Sequence, residues 1–225
     1  MELNHVGVVL FDLDGTLIDT MRLYMECYRV AAQPYVRADL TDAEIKSYRP
    51  RSEVRFLRFL VAPEDFDACL ADFYAAYEAG HDAFFDGVYD GVPDLLAGLR
   101  YTGTQVGIVT GKSRRSWEIT SARVDLGPFD VLVLDDDVSQ PKPHPGGLLH
   151  AMDLLAADPS ETIYVGDTSG DLKAAKGAGV QGVAALWASR REPDRRRRFT
   201  ERARRLGALV VRTPAELARR LGVED

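Results

Sequence analysis

Val6-Gly7-Val8-Val9-Leu10-Phe11-Asp12-Leu13-Asp14-Gly15-Thr16 decides how the rest of the chain is read. Val6 to Leu10 is a short, continuous, β-branched apolar run, the pattern of a strand buried on both faces. It ends at two aspartates spaced two apart. On extended backbone that spacing turns both carboxylates to one side and Leu13 to the other. Gly15 and Thr16 then permit a sharp turn away from the strand end. Two carboxylates held this close repel each other unless a proton or a divalent cation compensates them.

Working outward, further strands are expected at 106–110, 131–134, 162–165, 180–184 and 208–211. Helices are expected between them at 93–100, 114–124, 146–157 and 171–178, with a closing helix capped by Thr213-Pro214. Short apolar strands alternating with helices specify an α/β fold, a parallel sheet covered on both faces. The interval from Leu17 to Phe85 breaks this rhythm, with helical stretches at 18–32, 42–47, 52–60 and 63–79 and no strand. Phe66, Leu70, Phe73 and Tyr77 recur there at helical spacing and read as core packing. The expected organisation is a sheet domain made of 1–16 and 86–225, with an α-helical cap domain inserted at 17–85. A module inserted just after the first strand is expected over the C-terminal edge of the sheet, where ligands bind in open α/β folds.

With 225 residues, 46% of them apolar, the chain can bury a core and still carry a second module. Cys27 and Cys69 are far apart and belong to no metal-ligand pattern, which suggests free thiols in a reducing compartment. No basic leader opens the sequence and no apolar run reaches membrane-spanning length, so a cytoplasmic location without membrane attachment is expected. The formal charge of -7 is unevenly spread: 12 arginines face 6 acidic residues from Arg190 to Asp225, which leaves the rest of the chain strongly acidic. A Gly-rich loop ending in Lys-Ser/Thr is missing, as is Gly-x-Gly-x-x-Gly after the first strand, so neither an ATPase of that type nor a dinucleotide oxidoreductase is favoured.

Two later segments share the logic of the first. Gly166-Asp167-Thr168-Ser169-Gly170-Asp171 follows an apolar strand, and a helix starting at Thr168 or Ser169 would put Asp171 in its first turn. Gln140-Pro141-Lys142-Pro143-His144-Pro145 holds Lys142 on a loop that three prolines restrict. The pieces together suit phosphoryl chemistry: Asp12 as nucleophile, Asp14 as acid and base for the leaving alcohol and the incoming water, and Lys142 to offset charge. Thr110 and the amides that follow, starting with Gly111, are candidate donors to phosphoryl oxygens. A hard cation would find oxygen ligands on Asp12, Asp167 and the main-chain carbonyl of Asp14, with Asp171 a ligand or a support for Lys142. His144 is read as either a substrate neighbour or a surface or helix-capping residue. Lys112 and Arg114, at a helix start, are read as nearby cations or as solvent-facing.

Asp12-Leu13-Asp14-Gly15-Thr16-Leu17, Thr110 in Ile108-Val109-Thr110-Gly111-Lys112-Ser113, Lys142-Pro143-His144-Pro145 and the Gly166 to Asp171 run resemble the haloacid dehalogenase-like hydrolase superfamily, in family order. Within it the chain looks most like the phosphoglycolate phosphatase and β-phosphoglucomutase branch. The resemblance implies a Rossmann-like core, an α-helical cap between the first two motifs, Mg²⁺ dependence and an aspartyl-phosphate intermediate. Asp14 argues against dehalogenation, because halide-displacing members lack that second aspartate. Gly111 departs from the asparagine common in relatives. Arg49 and Arg51, with Ser52, resemble the cap loop that meets the leaving group, where an arginine suits a substrate carboxylate or second phosphate.

The expected function is hydrolysis of a small phosphorylated metabolite, a phosphoglycolate-like phosphomonoester, by a monomer or homodimer. A sugar-phosphate mutase of the β-phosphoglucomutase kind and an inorganic pyrophosphatase are the enzymatic alternatives. The order Tyr48-Arg49-Pro50-Arg51-Ser52 departs from the family's mutases. The arginine-rich segment 190–205 raises a non-enzymatic alternative, a module binding a polyanion or an acidic protein. Nucleic acid is not favoured: Phe199 is the lone aromatic there, and the acidic body repels a polyanion.

Overall fold

The computed structural model describes residues 3, 5–36, 40–48, 50, 52–188 and 193–223. In chain order its elements are β1 (Val8–Phe11), α1 (Met21–Ala32), α2 (Asp42–Tyr48), α3 (Glu53–Leu60), α4 (Phe66–Phe84), α5 (Val92–Tyr101), β2 (Gln105–Val109), α6 (Arg114–Ser121), β3 (Val131–Val133), α7 (Gly146–Leu155), β4 (Thr162–Gly166), α8 (Ser169–Ala178), β5 (Gln181–Ala185), α9 (Pro193–Arg205), β6 (Leu209–Val211) and α10 (Pro214–Leu221). Contacts gather the chain into two units. One comprises Met1–Ile18, Val88–Thr110 and Leu126–Asp225, the other Asp19–Gly87 and Gly111–Asp125.

The first unit is built on a six-stranded sheet in the order β3-β2-β1-β4-β5-β6, every neighbouring pair parallel. Alternation along β1 sends Val8 and Leu10 to one face, where they join Val109, Val133 and Tyr164 beneath Leu148, Ala151 and Met152 of α7 and Ala174, Ala175 and Ala178 of α8. Val9 and Phe11 are buried on the opposite face. The chain first builds outward from β1 through β2 and β3, then returns to the other side of β1 for β4. Strand order therefore reverses between β1 and β4, and the carboxyl ends of those two strands flank the crevice where open α/β sheets bind ligands.

The second unit is helical. Leu23, Tyr28, Leu57, Phe73 and Tyr77 share its buried core with Ile119 of α6, which is why Gly111–Asp125 groups with these helices although the sequence places it in the sheet domain. Phe66, Phe73 and Tyr77 are buried and Leu70 is partly so. The helix α4 runs on to Phe84, past the expected end at Ala79, because His81 extends the inward stripe of Phe73 and Tyr77 and stacks on Phe85 at 4.8 Å. Both cysteines are free and buried.

Lys112 overturns the solvent-facing reading: it is 1% exposed. Its ammonium donates to the hydroxyls of Tyr24 and Tyr77 at 2.8 Å each and lies over both rings, at 4.6 and 4.9 Å from the centroids. Arg114 is exposed. Among the described residues no helix is long and apolar enough to cross a membrane.

Candidate active site

Each acidic side chain reaches the site by a local device. The amide of Asp12 extends the β1–β4 ladder by donating to Val165 O at 2.9 Å, which fixes its side chain at the strand end. The chain then folds back on itself: Thr16, Leu17 and Ile18 all donate to Leu13 O, and Gly15 donates to Ile18 O at 2.8 Å. Gly15 sits at φ +85°, and a Cβ there would lie 2.7 Å from Asp167 Oδ2. The glycine therefore supplies both the left-handed turn and the room for Asp167. Trp187, just beyond β5, pins the same turn by donating Nε1–H to Thr16 O at 2.7 Å.

Past β4, Thr168 caps α8 and Asp171 completes a capping box, its Oδ2 accepting from the Thr168 amide at 2.9 Å and from the Thr168 hydroxyl. A Cβ on Gly166 would come within 2.4 Å of Asp171 Cβ, so only glycine lets the helix start this close to the strand. With Oδ2 held by the cap, Oδ1 of Asp171 is left to face Lys142.

The Lys142 ammonium lies 2.7 Å from Asp171 Oδ1 and 2.8 Å from Asp12 Oδ1. It also donates to the Tyr164 hydroxyl at 2.9 Å and to Val109 O at 3.4 Å. Tyr164 donates its own hydroxyl proton to Val109 O at 2.7 Å. The Lys142–Pro143 peptide is cis. His144 is exposed, and its Nδ1 accepts from the Gly146 amide at 3.1 Å, a local contact at the start of α7.

Asp12, Asp167 and Asp171 each offer a carboxylate oxygen within 4.8 Å of the others. Asp167 Oδ1 is shut off from solvent with no hydrogen-bond partner among the described residues. Burial pushes the Asp12 carboxyl up to about 7; Lys142 pulls it down, while Asp171 and Asp14 add to the rise. Asp167 is held well above the usual carboxylate range by burial and by the charges of Asp171 and Asp12, opposed by Arg195 and Lys142. Burial also works against the charge on Lys142, but Asp12 and Asp171 outweigh it and hold its pKa well above the ordinary value. Three carboxylates thus cluster together, and the Lys142 ammonium touches only two of them, Asp12 and Asp171. The uncompensated negative charge and the orphan oxygen of Asp167 fit a hard divalent cation.

Asp14 is half-buried beside this set, and its charge acts on Asp12. Thr110 is buried at the end of β2, its amide bonded to Val133 O, and follows the Val109 carbonyl that receives Tyr164 and Lys142. Gly111 opens the segment that belongs to the helical unit. Arg49 and Arg51 lie outside the described residues. Sequence reasoning missed Tyr164. The available signal was a hydroxyl-bearing aromatic in the middle of a fully buried strand, where the hydroxyl needs a partner. Surface clefts point elsewhere: one of about 390 Å³ lies at the amino edge of β4 and β5, between Leu3, Val6, Ile163 and Gln181, and no titratable side chain lines it.

A profile of the haloacid dehalogenase-like hydrolases matches residues 9–185. The chain belongs to that family. Pyrophosphatase PpaX from Bacillus mycoides is 32% identical over 197 residues, covering 81% of this chain and 84% of the relative. The crystal structure of CbbY from Rhodobacter sphaeroides in complex with phosphate superposes with a TM-score of 0.78 at 24% identity, over 94% of this chain and 96% of that one. A hydrolase from Pseudomonas syringae gives 0.75 at 22% identity, over 97% and 99%. These structures share the fold, and the sequence match places the chain among the haloacid dehalogenase-like hydrolases.

Proposed function

We propose that this chain is a Mg²⁺-dependent cytoplasmic phosphatase that passes the phosphoryl group of a small phosphorylated metabolite to Asp12 and then to water. The observation that carries the reading is the Lys142 ammonium bonded to both Asp12 and Asp171 beside the unpartnered Asp167 Oδ1. An Asp12 oxygen attacks phosphorus as the bond to the leaving oxygen breaks, and Asp14 gives that oxygen a proton. Water then attacks the phosphorus of the acyl phosphate while Asp14 takes its proton, which frees Asp12 and inorganic phosphate. Lys142 offsets charge on Asp12 and on the group in transfer, with the Thr110 hydroxyl as a further donor.

Asp12, Asp167 and the main-chain carbonyl of Asp14 would hold the cation, which supplies positive charge to the phosphoryl oxygens and favours ionised Asp12. Asp171, occupied by Lys142 and by its own helix cap, serves as the support that keeps the lysine in place.

The leading substrate class is a phosphoglycolate-like phosphomonoester. A second reading, inorganic pyrophosphate, is favoured by the name of the Bacillus relatives that match four-fifths of the chain. Phosphate release from a panel of phosphorylated two- and three-carbon acids, sugars, nucleotides and pyrophosphate, with Mg²⁺ and with chelator, tests both. Release that depends on the metal and is lost in Asp12→Asn supports the reading. Phosphate migration within a sugar without release assigns the chain to the mutases instead.

A further inference from the structure

The arginine-rich helix α9 plays no part in the mechanism above. It carries Arg195, Arg196, Arg197, Arg198, Arg202, Arg204 and Arg205 against two acids, Asp194 and Glu201. Among the described residues none of these arginines forms an ion pair with a carboxylate. Asp194 and Glu201 stand four residues before Arg198 and Arg205, but seven arginines outnumber the two acids and most of the positive charge of the helix stays unmatched.

Packing fixes which way the helix faces. Phe199, Ala203 and Leu206 lie against Leu172 and Ala184, so that stripe points inward. At 100° per residue the adjacent stripe is Arg195, Arg198, Arg202 and Arg205, a row about 15 Å long at 1.5 Å per residue. All four are exposed. The row borders the acid cluster: Arg202 donates to Ser169 Oγ at 3.4 Å, two residues from Asp167. Arg195 is near enough to act on Asp167, ranking after burial and the Asp171 and Asp12 carboxylates.

A monoester brings one phosphoryl group, which Asp12, Lys142 and Thr110 already serve. Exposed guanidinium forks beyond them match further phosphates, which they bind in bidentate fashion. Single-stranded nucleic acid fits less well, because the only aromatic of the helix, Phe199, packs inward and leaves nothing for a base to stack on.

We propose that Arg195, Arg198, Arg202 and Arg205 form a track for the trailing phosphates of a linear phosphate chain, pyrophosphate or a short inorganic polyphosphate, whose terminal phosphoryl group meets Asp12. This rests on the phosphoryl-transfer reading of the Asp12 cluster. Each turnover breaks one phosphoanhydride P–O bond. The terminal phosphoryl group goes to Asp12 and then to water, and the shortened chain departs on the bridging oxygen with the proton from Asp14.

The test is calorimetric binding of inorganic tripolyphosphate and of orthophosphate to the full chain, at low and moderate salt, alongside turnover of tripolyphosphate and p-nitrophenyl phosphate. The expected result is tighter binding of tripolyphosphate, weakened by salt. In the triple variant Arg195→Gln, Arg198→Gln, Arg202→Gln that affinity falls about tenfold, as three partly screened contacts imply. Lysine at the same positions restores most of it. Equal binding of tripolyphosphate by wild type and variant overturns the proposal, as does tighter binding of a single-stranded oligonucleotide of matched charge. Turnover of p-nitrophenyl phosphate with no preference for tripolyphosphate overturns the track and leaves the phosphatase reading standing. Tripolyphosphate bound through α9 but not turned over overturns the delivery of its terminal phosphoryl group to Asp12.

Discussion

The carboxylate of Asp167 occupies the space beside Gly15 that any side chain at position 15 would need, with 2.7 Å between Asp167 Oδ2 and the position of a Cβ. The turn after β1 and the loop after β4 are thereby made to fit each other. Gly15→Ala strains a backbone at φ +85° by about 1–2 kcal/mol and pushes Asp167 out of the cluster. A urea melt should lose about that much stability, and a Mg²⁺ titration of the variant should show weakened binding. Unchanged Mg²⁺ affinity would separate Asp167 from the metal site.

Lys142 is the one cation bonded to both Asp12 and Asp171 among the described residues. Lys142→Met leaves two buried carboxylates facing each other, and breaking a buried pair from one side costs about 3–5 kcal/mol. Thermal melts with and without Mg²⁺ should show a large loss that the metal partly restores. Turnover should fall by about 10²–10³, the range for removing a preorganised charge.

The Tyr164 hydroxyl links Lys142 to the Val109 carbonyl. Tyr164→Phe keeps the ring and removes that link, at a cost of about 1–2 kcal/mol. The expected result is a fall in kcat with little change in KM, because the tyrosine positions the lysine and does not meet substrate. A loss confined to KM would contradict that role.

How far the sequence reads is clear from particular residues. The strand before Asp12 is legible because an unbroken aliphatic run must be buried on both faces, and only its ends shift: Phe11 joins β1, while Val6 and Gly7 precede it. The start of α8 is legible because Thr168 and Asp171 cap it by local hydrogen bonds that depend on spacing alone. Lys112 and Tyr164 were not legible. A lysine at a helix start reads as solvated unless the tyrosine rings that enclose it, far away in the chain, are known to converge. A tyrosine in an aliphatic strand reads as core, and here it is core, with a hydroxyl that touches the site. Similarly, the acids were picked out by their place after strands, whereas the division of labour on Asp171, one oxygen to the cap and one to Lys142, needs coordinates.

His81 in the helical unit supplies a pH dependence with a definite sign. Its pKa is lowered from 6.5 chiefly by burial and then by the Arg123 charge, so the folded state prefers the neutral ring. As pH falls through about 6.5 the unfolded chain takes up a proton that the folded chain resists, and stability falls with it until the folded value is passed. His81→Phe, which preserves stacking on Phe85, should flatten the decline between neutral pH and about pH 5 in denaturant melts. An identical acid limb in wild type and variant would assign the decline to other groups.

The central claim is that Asp12 itself carries the phosphoryl group between donor and water. Acid-quenched turnover mixtures, reduced with borohydride and digested for mass spectrometry, read this directly, since reduction converts an aspartyl phosphate into homoserine. Homoserine is expected at position 12 and at no other aspartate. Homoserine at another position, or intact Asp12 throughout a reaction caught in steady state with the intermediate's hydrolysis slowed, would contradict it.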